Sequence, residues 1–227
     1  MSAGVRQSPI GGIVIGVVLA VLAAGPAFAG EIHAFVTDHQ GVPLRHAVVV
    51  ALPAGTSPGP AAKGSRESVG QIDMEFVPHV KALTVGTPVF FPNNDSVHHH
   101  VYSFSPVKAF ELPLYVGTPA SPIVFDKPGI VTIGCNIHDW MIGYIYVTES
   151  PYVGTTDTKG RLKLASVPPG SYGLRVWHPR MSGTEESTSR AVTIERTGLT
   201  EIAWQVAVGP ELRRRRPATP DPRYDRN

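Results

Sequence analysis

The chain has 227 residues, a formal net charge of +2, 42% hydrophobic and 17% charged residues. That balance excludes a disordered polyelectrolyte and supplies enough apolar surface for one large or two small globular domains. The 23 glycines and 22 prolines follow no three-residue period, which excludes a collagen-like fibre, disfavours long helices and predicts a turn-rich, all-β protein. A single cysteine excludes an intramolecular disulfide, a four-cysteine zinc site and any centre bridged by two thiolates.

At the N-terminus, Arg6 precedes the apolar run 13–22, Gly25-Pro26 breaks that run, and Ala27-Phe28-Ala29 supplies a small-x-small processing pattern. Residues 1–29 therefore read as a cleaved secretory signal, which predicts a periplasmic or secreted protein beginning near Gly30 with no later stretch long enough to span a bilayer. Residues 31–52 alternate as two short strands about the turn Asp38-His39-Gln40-Gly41, and read as a hairpin. Residues 53–66 are rich in Pro, Gly and Ser and form a surface connection. Between 71 and 148, strands are expected at 74–76, 81–85, 88–91, 99–104, 123–125, 129–134 and 142–147, the spacing of a Greek-key β-sandwich. A second turn, Asp157-Thr158-Lys159-Gly160, opens a strand, turn and strand that close at Trp177. Beyond residue 208 the chain holds six arginines against three acids and several prolines without apolar periodicity. Residues 209–227 are expected to be a disordered basic tail, and the nearly neutral body argues against nucleic-acid binding.

The two flanks resemble halves of one module. Residues 31–50 (EIHAFVTDHQGVPLRHAVVV) resemble the opening of the carboxypeptidase regulatory-like β-sandwich family, and 156–176 (TDTKGRLKLASVPPGSYGLRV) resemble its closing half. The resemblance implies one sandwich made of 30–66 and 150–208, with 67–149 inserted into a surface loop, an arrangement loops tolerate when the insert's ends are close. Two serial domains are the alternative, to be favoured if the strands near Phe35 and Val176 share no core.

The chemistry concentrates in Gly134-Cys135-Asn136-Ile137-His138-Asp139-Trp140-Met141-Ile142, a Cys-x2-His-x2-Met loop between two apolar strands. Such a loop can aim a thiolate, an imidazole and a thioether at one point, a soft donor set suited to copper. A second imidazole must come from elsewhere, and Asn93-Asn94-Asp95-Ser96-Val97-His98-His99-His100-Val101 offers three. Together the two segments resemble the cupredoxins, the blue-copper proteins of the plastocyanin, amicyanin and pseudoazurin type, over about residues 71–148. The resemblance implies a Greek-key cupredoxin sandwich, one type 1 copper held by His99, Cys135, His138 and Met141, and single-electron exchange with a redox partner. In a strand His98 and His100 face opposite to His99, so a one-residue slip would make them a chelating pair turned away from Cys135.

Many cupredoxins carry Asn after the first histidine, where it ties the two ligand loops. Here His100 stands there, leaving the tie absent or supplied by Asn136. A lone buried cysteine without metal is the structural alternative, although an unpaired thiol in an oxidising compartment invites oxidation. Trp140 is expected either to shield the copper edge, with a redox partner docking near it, or to pack in the core. His33, His39, His46, His79 and His178 read as surface or hydrogen-bonded residues. Three ligands plus a weak axial Met leave no position for substrate, so an electron carrier and not an enzyme is expected. A copper storage or delivery protein, and a carbohydrate- or partner-binding module, are the competing readings. Chains of this pattern are sometimes labelled methylamine-utilisation proteins, a substrate to which no residue here points.

Overall fold

The computed structural model describes residues 1, 29–55, 66–119, 121–196 and 198–211. The expected signal and basic tail fall almost wholly outside the described residues, as does most of the 53–66 connection. Among the described residues the secondary structure is all β apart from one 3-10 turn, Glu185–Thr188. The strands open with β1 (Gly30–Asp38) and β2 (Val48–Pro53). They continue through β3 (Glu67–Ser68), β4 (Gly70–Ile72), β5 (Glu75–Val77), β6 (Val80–Thr84), β7 (Thr87–Phe90), β8 (His99–Ser105), β9 (Lys108–Tyr115), β10 (Ile123–Phe125), β11 (Gly129–Gly134) and β12 (Ile142–Thr148). They close with β13 (Val153–Thr155), β14 (Arg161–Val167), β15 (Gly170–Trp177), β16 (Arg190–Ile194) and β17 (Leu199–Val206). No helix among the described residues is long and apolar enough to cross a membrane.

β1 buries one row of alternating side chains, but β1 and β2 do not form the expected hairpin. β1 lies between β14 and β17, whereas β2 lies between β13 and β15, with β16 at that sheet's edge. The two sheets face each other across a core that includes Ile32, Ala34 and Val36 of β1, Val49 and Ala51 of β2, Leu174 and Val176 of β15 and Trp204 of β17. The strands near Phe35 and Val176 thus lie in different sheets and share one core. Alternation fixes which side chains are buried, not whether the next strand pairs beside its predecessor or arches over to the facing sheet. The strand, turn and strand of 161–177 are present as β14 and β15, which join opposite sheets.

The two Asp-x-x-Gly turns use one device. Asp38 Oδ1 accepts the N–H groups of Gln40 and Val42 at 2.8 and 2.9 Å, and Asp157 Oδ1 accepts those of Lys159 and Arg161 at the same distances. These backbone donors hold both carboxyls below their ordinary range. At Gly160 the backbone has φ +70° and an added Cβ would lie 2.4 Å from the Val36 carbonyl oxygen, so only glycine fits there.

Residues 67–148 form a five-stranded sheet in the order β6-β12-β11-β8-β9, a smaller sheet β10-β7-β3 and the hairpin β4-β5. Their core includes Phe76, Phe91, Val101, Phe125, Val131, Ile133 and Ile145. The strand expected at 74–76 starts one residue later, because Asp73 and Met74 take left-handed φ of 54° and 57° and make the hairpin turn. β9 was not among the expected strands, although Phe110, Leu112 and Leu114 alternate along it; it carries Pro113, which argues against a central strand, and it lies at the edge of its sheet.

β2 is buried on both faces, which explains its unbroken Val-Val-Val-Ala run. Val48 and Val50 turn away from the first core and meet Val80, Tyr146 and Trp177 in a seam between the two sets of sheets. His178 follows Trp177, is 5% exposed, and its Nδ1 accepts the Arg180 N–H at 3.2 Å. Burial, then the Arg180 charge, pushes its pKa down to about 4. An unfolded histidine takes up its proton near pH 6.5, so the buried neutral ring contributes stability that is complete above pH 6.5 and lost as pH falls toward 4. Urea unfolding at pH 7 and pH 4.5 is expected to show a smaller acid loss in His178→Gln than in the parent, by about 2–3 kcal/mol. Equal losses would refute this assignment.

Candidate metal centre

The 135–141 segment closes the turn between β11 and β12. Cys135 N–H donates to the Met141 carbonyl at 3.1 Å, Met141 N–H to the His138 carbonyl at 2.9 Å, and Ile142 N–H to the Trp140 carbonyl at 3.1 Å. With the loop so folded, Cys135 Sγ lies 3.7 Å from His138 Nδ1. β8 pairs with β11 at Tyr102 and Gly134, and this register carries His99, at the start of β8, to the same spot. Its Nδ1 is 4.0 Å from Cys135 Sγ.

The three donor atoms lie within 4.8 Å of one another. His99 and His138 are fully buried, Cys135 is 5% exposed and Met141 1%. Met141 packs in the same core cluster as Cys135. The neighbouring histidines diverge: His98 is exposed, and His100 Nε2 contacts Glu111 Oε1 at 2.9 Å. The structure therefore brings His99, and neither His98 nor His100, to Cys135.

A thiolate at about 2.3 Å and an imidazole nitrogen at about 2.05 Å from one ion stand about 3.6–3.8 Å apart for angles between tetrahedral and trigonal. The observed 3.7 and 4.0 Å match that separation to within a few tenths of an ångström. The sulfur and two imidazoles suit a soft or borderline transition metal, and Met141 is buried in the same core cluster as Cys135.

The loop that delivers His99 is held by Asn93, which is 3% exposed. Its Nδ2 donates to the carbonyls of Val97 at 2.9 Å and Tyr115 at 2.8 Å, and its Oδ1 accepts the Asp95 N–H at 3.0 Å. Asn136, one of the two readings for a loop tie, is exposed; the ordering comes from Asn93 at the head of the turn. Below the site, Gln71 Nε2 donates to Tyr115 Oη at 2.5 Å, and Tyr115 O–H donates to the Phe91 carbonyl at 2.6 Å. Burial pushes the Tyr115 phenol up to about 12, so it remains a neutral donor.

Asp95 went unnoticed in the sequence except as part of a turn. Its Oδ2 is 2.7 Å from His99 Nε2, and its carboxylate accepts the N–H groups of Asp73 at 2.7 Å and Met74 at 2.9 Å. Partial burial opposes its ionisation, but those backbone donors and the His99 ring together hold it below the ordinary carboxyl range. The one local signal was an acid four residues before a candidate ligand. Trp140 is 8% exposed, with its ring 5.3 Å from that of His138. It covers the histidine and leaves little surface for a docking partner, while Asn136 and Asp139 are the exposed positions of the loop.

No family model matches the chain, and no curated protein matches it. Among solved structures, the copper-containing nitrite reductase of Thermus scotoductus SA-01 aligns at 27% identity over 39% of this chain and 25% of its own, with a TM-score of 0.34. A purple cupredoxin from Nitrosopumilus maritimus aligns at 22% identity over 36% of this chain and 99% of its own, TM-score 0.33. The reduced Cu(I) form of an amicyanin point mutant aligns at 21% identity over 44% of this chain and 97% of its own, TM-score 0.34. This chain thus spans a quarter of the reductase and nearly all of the two smaller proteins.

Proposed function

We propose that the protein is an exported carrier of single electrons in which Cys135, His99, His138 and Met141 would hold one copper ion. The observation that carries this reading is the buried triangle of Sγ and two Nδ1 atoms, all within 4.8 Å. Copper, when bound, supplies a one-electron couple between its cupric and cuprous states. The chain's own residues do the rest. The short hydrogen-bonded loop fixes Cys135 and His138 relative to each other, and Asn93 fixes the turn that delivers His99, so the chain would hold these donors in place. Trp140 and the surrounding core keep water from the thiol, which protects a lone cysteine in an oxidising compartment. Four protein donors leave no place for a substrate, which is why we read a carrier and not an enzyme.

We also propose that residues 67–149 form an inserted unit and that 30–66 and 150–208 form the sandwich hosting it. Support comes from the core shared by β1, β2, β15 and β17, whose members lie on both sides of the insert.

Copper titration of the purified, reduced chain tests the function. One equivalent is expected to produce an intense visible thiolate-to-copper band that bleaches on reduction and returns on reoxidation. Metal that passes to a chelator within stopped-flow mixing, with no stable coloured form, would instead identify a copper delivery protein.

A further inference from the structure

We infer that Asp95 is a positioning residue for His99: it fixes which ring nitrogen carries the proton and, through the β4-β5 turn, where the ring points. Its bearing on copper rests on the reading above; its bearing on the ring does not. A neutral imidazole has one N–H and one lone pair. The carboxylate 2.7 Å from Nε2 can only accept, so the proton sits on Nε2 and the lone pair on Nδ1. Nδ1 is the atom that faces Cys135 Sγ. A ligand histidine held through its other nitrogen by a carboxylate is both oriented and made a stronger donor.

What distinguishes Asp95 is how firmly it is itself held. Asp73 and Met74, both in left-handed conformation, aim consecutive N–H groups at its two oxygens. Its own N–H donates to the Asn93 carbonyl oxygen Oδ1. The carboxylate thus joins the hairpin turn to the start of β8, while the Asp95 backbone N–H ties the residue to Asn93. His100 provides an internal contrast. It too has a carboxylate on Nε2, that of Glu111, but that acid side chain is 69% exposed and His100 does not meet Cys135.

The test uses the full chain, first without metal. Side-chain nitrogen NMR of histidine-labelled protein is expected to show His99 as the Nε2–H tautomer in the parent and in Asp95→Asn, whose amide oxygen still accepts, and as a mixture in Asp95→Ala. Copper affinity, measured by chelator competition, is expected to fall 10–100-fold in Asp95→Ala. In Asp95→Asn, which removes charge but keeps an acceptor, the reduction potential is expected to rise. Glu111→Gln is expected to change none of these. An unaltered His99 tautomer in Asp95→Ala overturns the inference, as does an unshifted potential in Asp95→Asn should the alanine variant fail to fold. If the parent binds no copper, the electron-carrier reading fails and the tautomer comparison still decides the role of Asp95.

Discussion

Replacing Cys135 by serine is expected to abolish the intense visible band of the copper-loaded chain and to weaken copper binding by about 10²–10³. The magnitude follows from dividing the roughly 10–16 kcal/mol of a four-donor structural site among its donors, which makes each worth about 2.5–4 kcal/mol. Serine is the informative replacement because it keeps size and shape while exchanging a soft sulfur donor for a hard hydroxyl that makes a poor ligand for copper. It also carries a cost unrelated to metal. Cys135 is 5% exposed and packs with Phe76, Ile133 and Met141 in an apolar core, where a hydroxyl lacking a partner costs about 1–3 kcal/mol. Denaturant unfolding of the metal-free protein measures that second effect alone, and chelator competition on the folded protein measures the first. Among the three adjacent histidines, His99→Ala is expected to lose the band while His98→Ala and His100→Ala retain it. A full band in Cys135→Ser, or one in His99→Ala equal to the parent's, would dismantle the proposed centre.

The parts of this arrangement that could be read from the sequence are those set by short covalent distance. Cys135, His138 and Met141 fall within one tight loop, which can aim their donors at one point, and Cys135 Sγ and His138 Nδ1 do lie 3.7 Å apart. Alternation alone left the register of residues 98–100 open, and the family resemblance chose His99; in the structure His99 Nδ1 lies 4.0 Å from Cys135 Sγ while His98 is exposed and His100 contacts Glu111. The all-β character followed from turn-forming residues and period-two burial. Asp95 was illegible because its function depends on Asp73 and Met74, about twenty residues upstream, folding back as a left-handed turn. The pairing of β1 with β17, in parallel and across 168 residues at Ile32 and Thr200, leaves no local trace either. β17 does alternate, burying Trp204 and Val206 against exposed Ala203 and Gln205, yet neither this strand nor its partner was among the expected elements. Trp140 could be read as shield, docking surface or core because a loop tryptophan's exposure is decided by what lies across from it. Here the ring of His138 lies across from it.

Trp177→Ala is expected to cost about 3–5 kcal/mol and, more tellingly, to split one unfolding transition into two. Trp177 is 9% exposed, and its ring lies 5.9 Å from that of Tyr144 and 5.8 Å from that of Tyr146. Both tyrosines belong to β12, the strand that leaves the ligand loop, whereas Trp177 ends β15 of the flanking sandwich. Aromatic pairs of this kind contribute about 0.5–1.5 kcal/mol each beyond burial. Tyr146 is anchored further by donating its O–H to Glu185 at 2.6 Å, and burial with this acid neighbour pushes the phenol pKa up, so the tyrosine stays protonated and the bond persists across the ordinary pH range. Trp177 belongs to the seam cluster with Val48, Val50, Val80 and Tyr146, and to neither larger core. Truncating it should therefore leave each core packed while removing what makes them melt together. Calorimetry of the full chain is the measurement. Trp204→Ala, which sits in the first core alone, is the comparison, expected to lower the stability of the flanking sandwich without relieving the coupling. A single cooperative transition in Trp177→Ala, displaced by less than about 1 kcal/mol, would mean that the seam is contact without coupling, because a buried tryptophan that bound the two cores would cost several times more to remove.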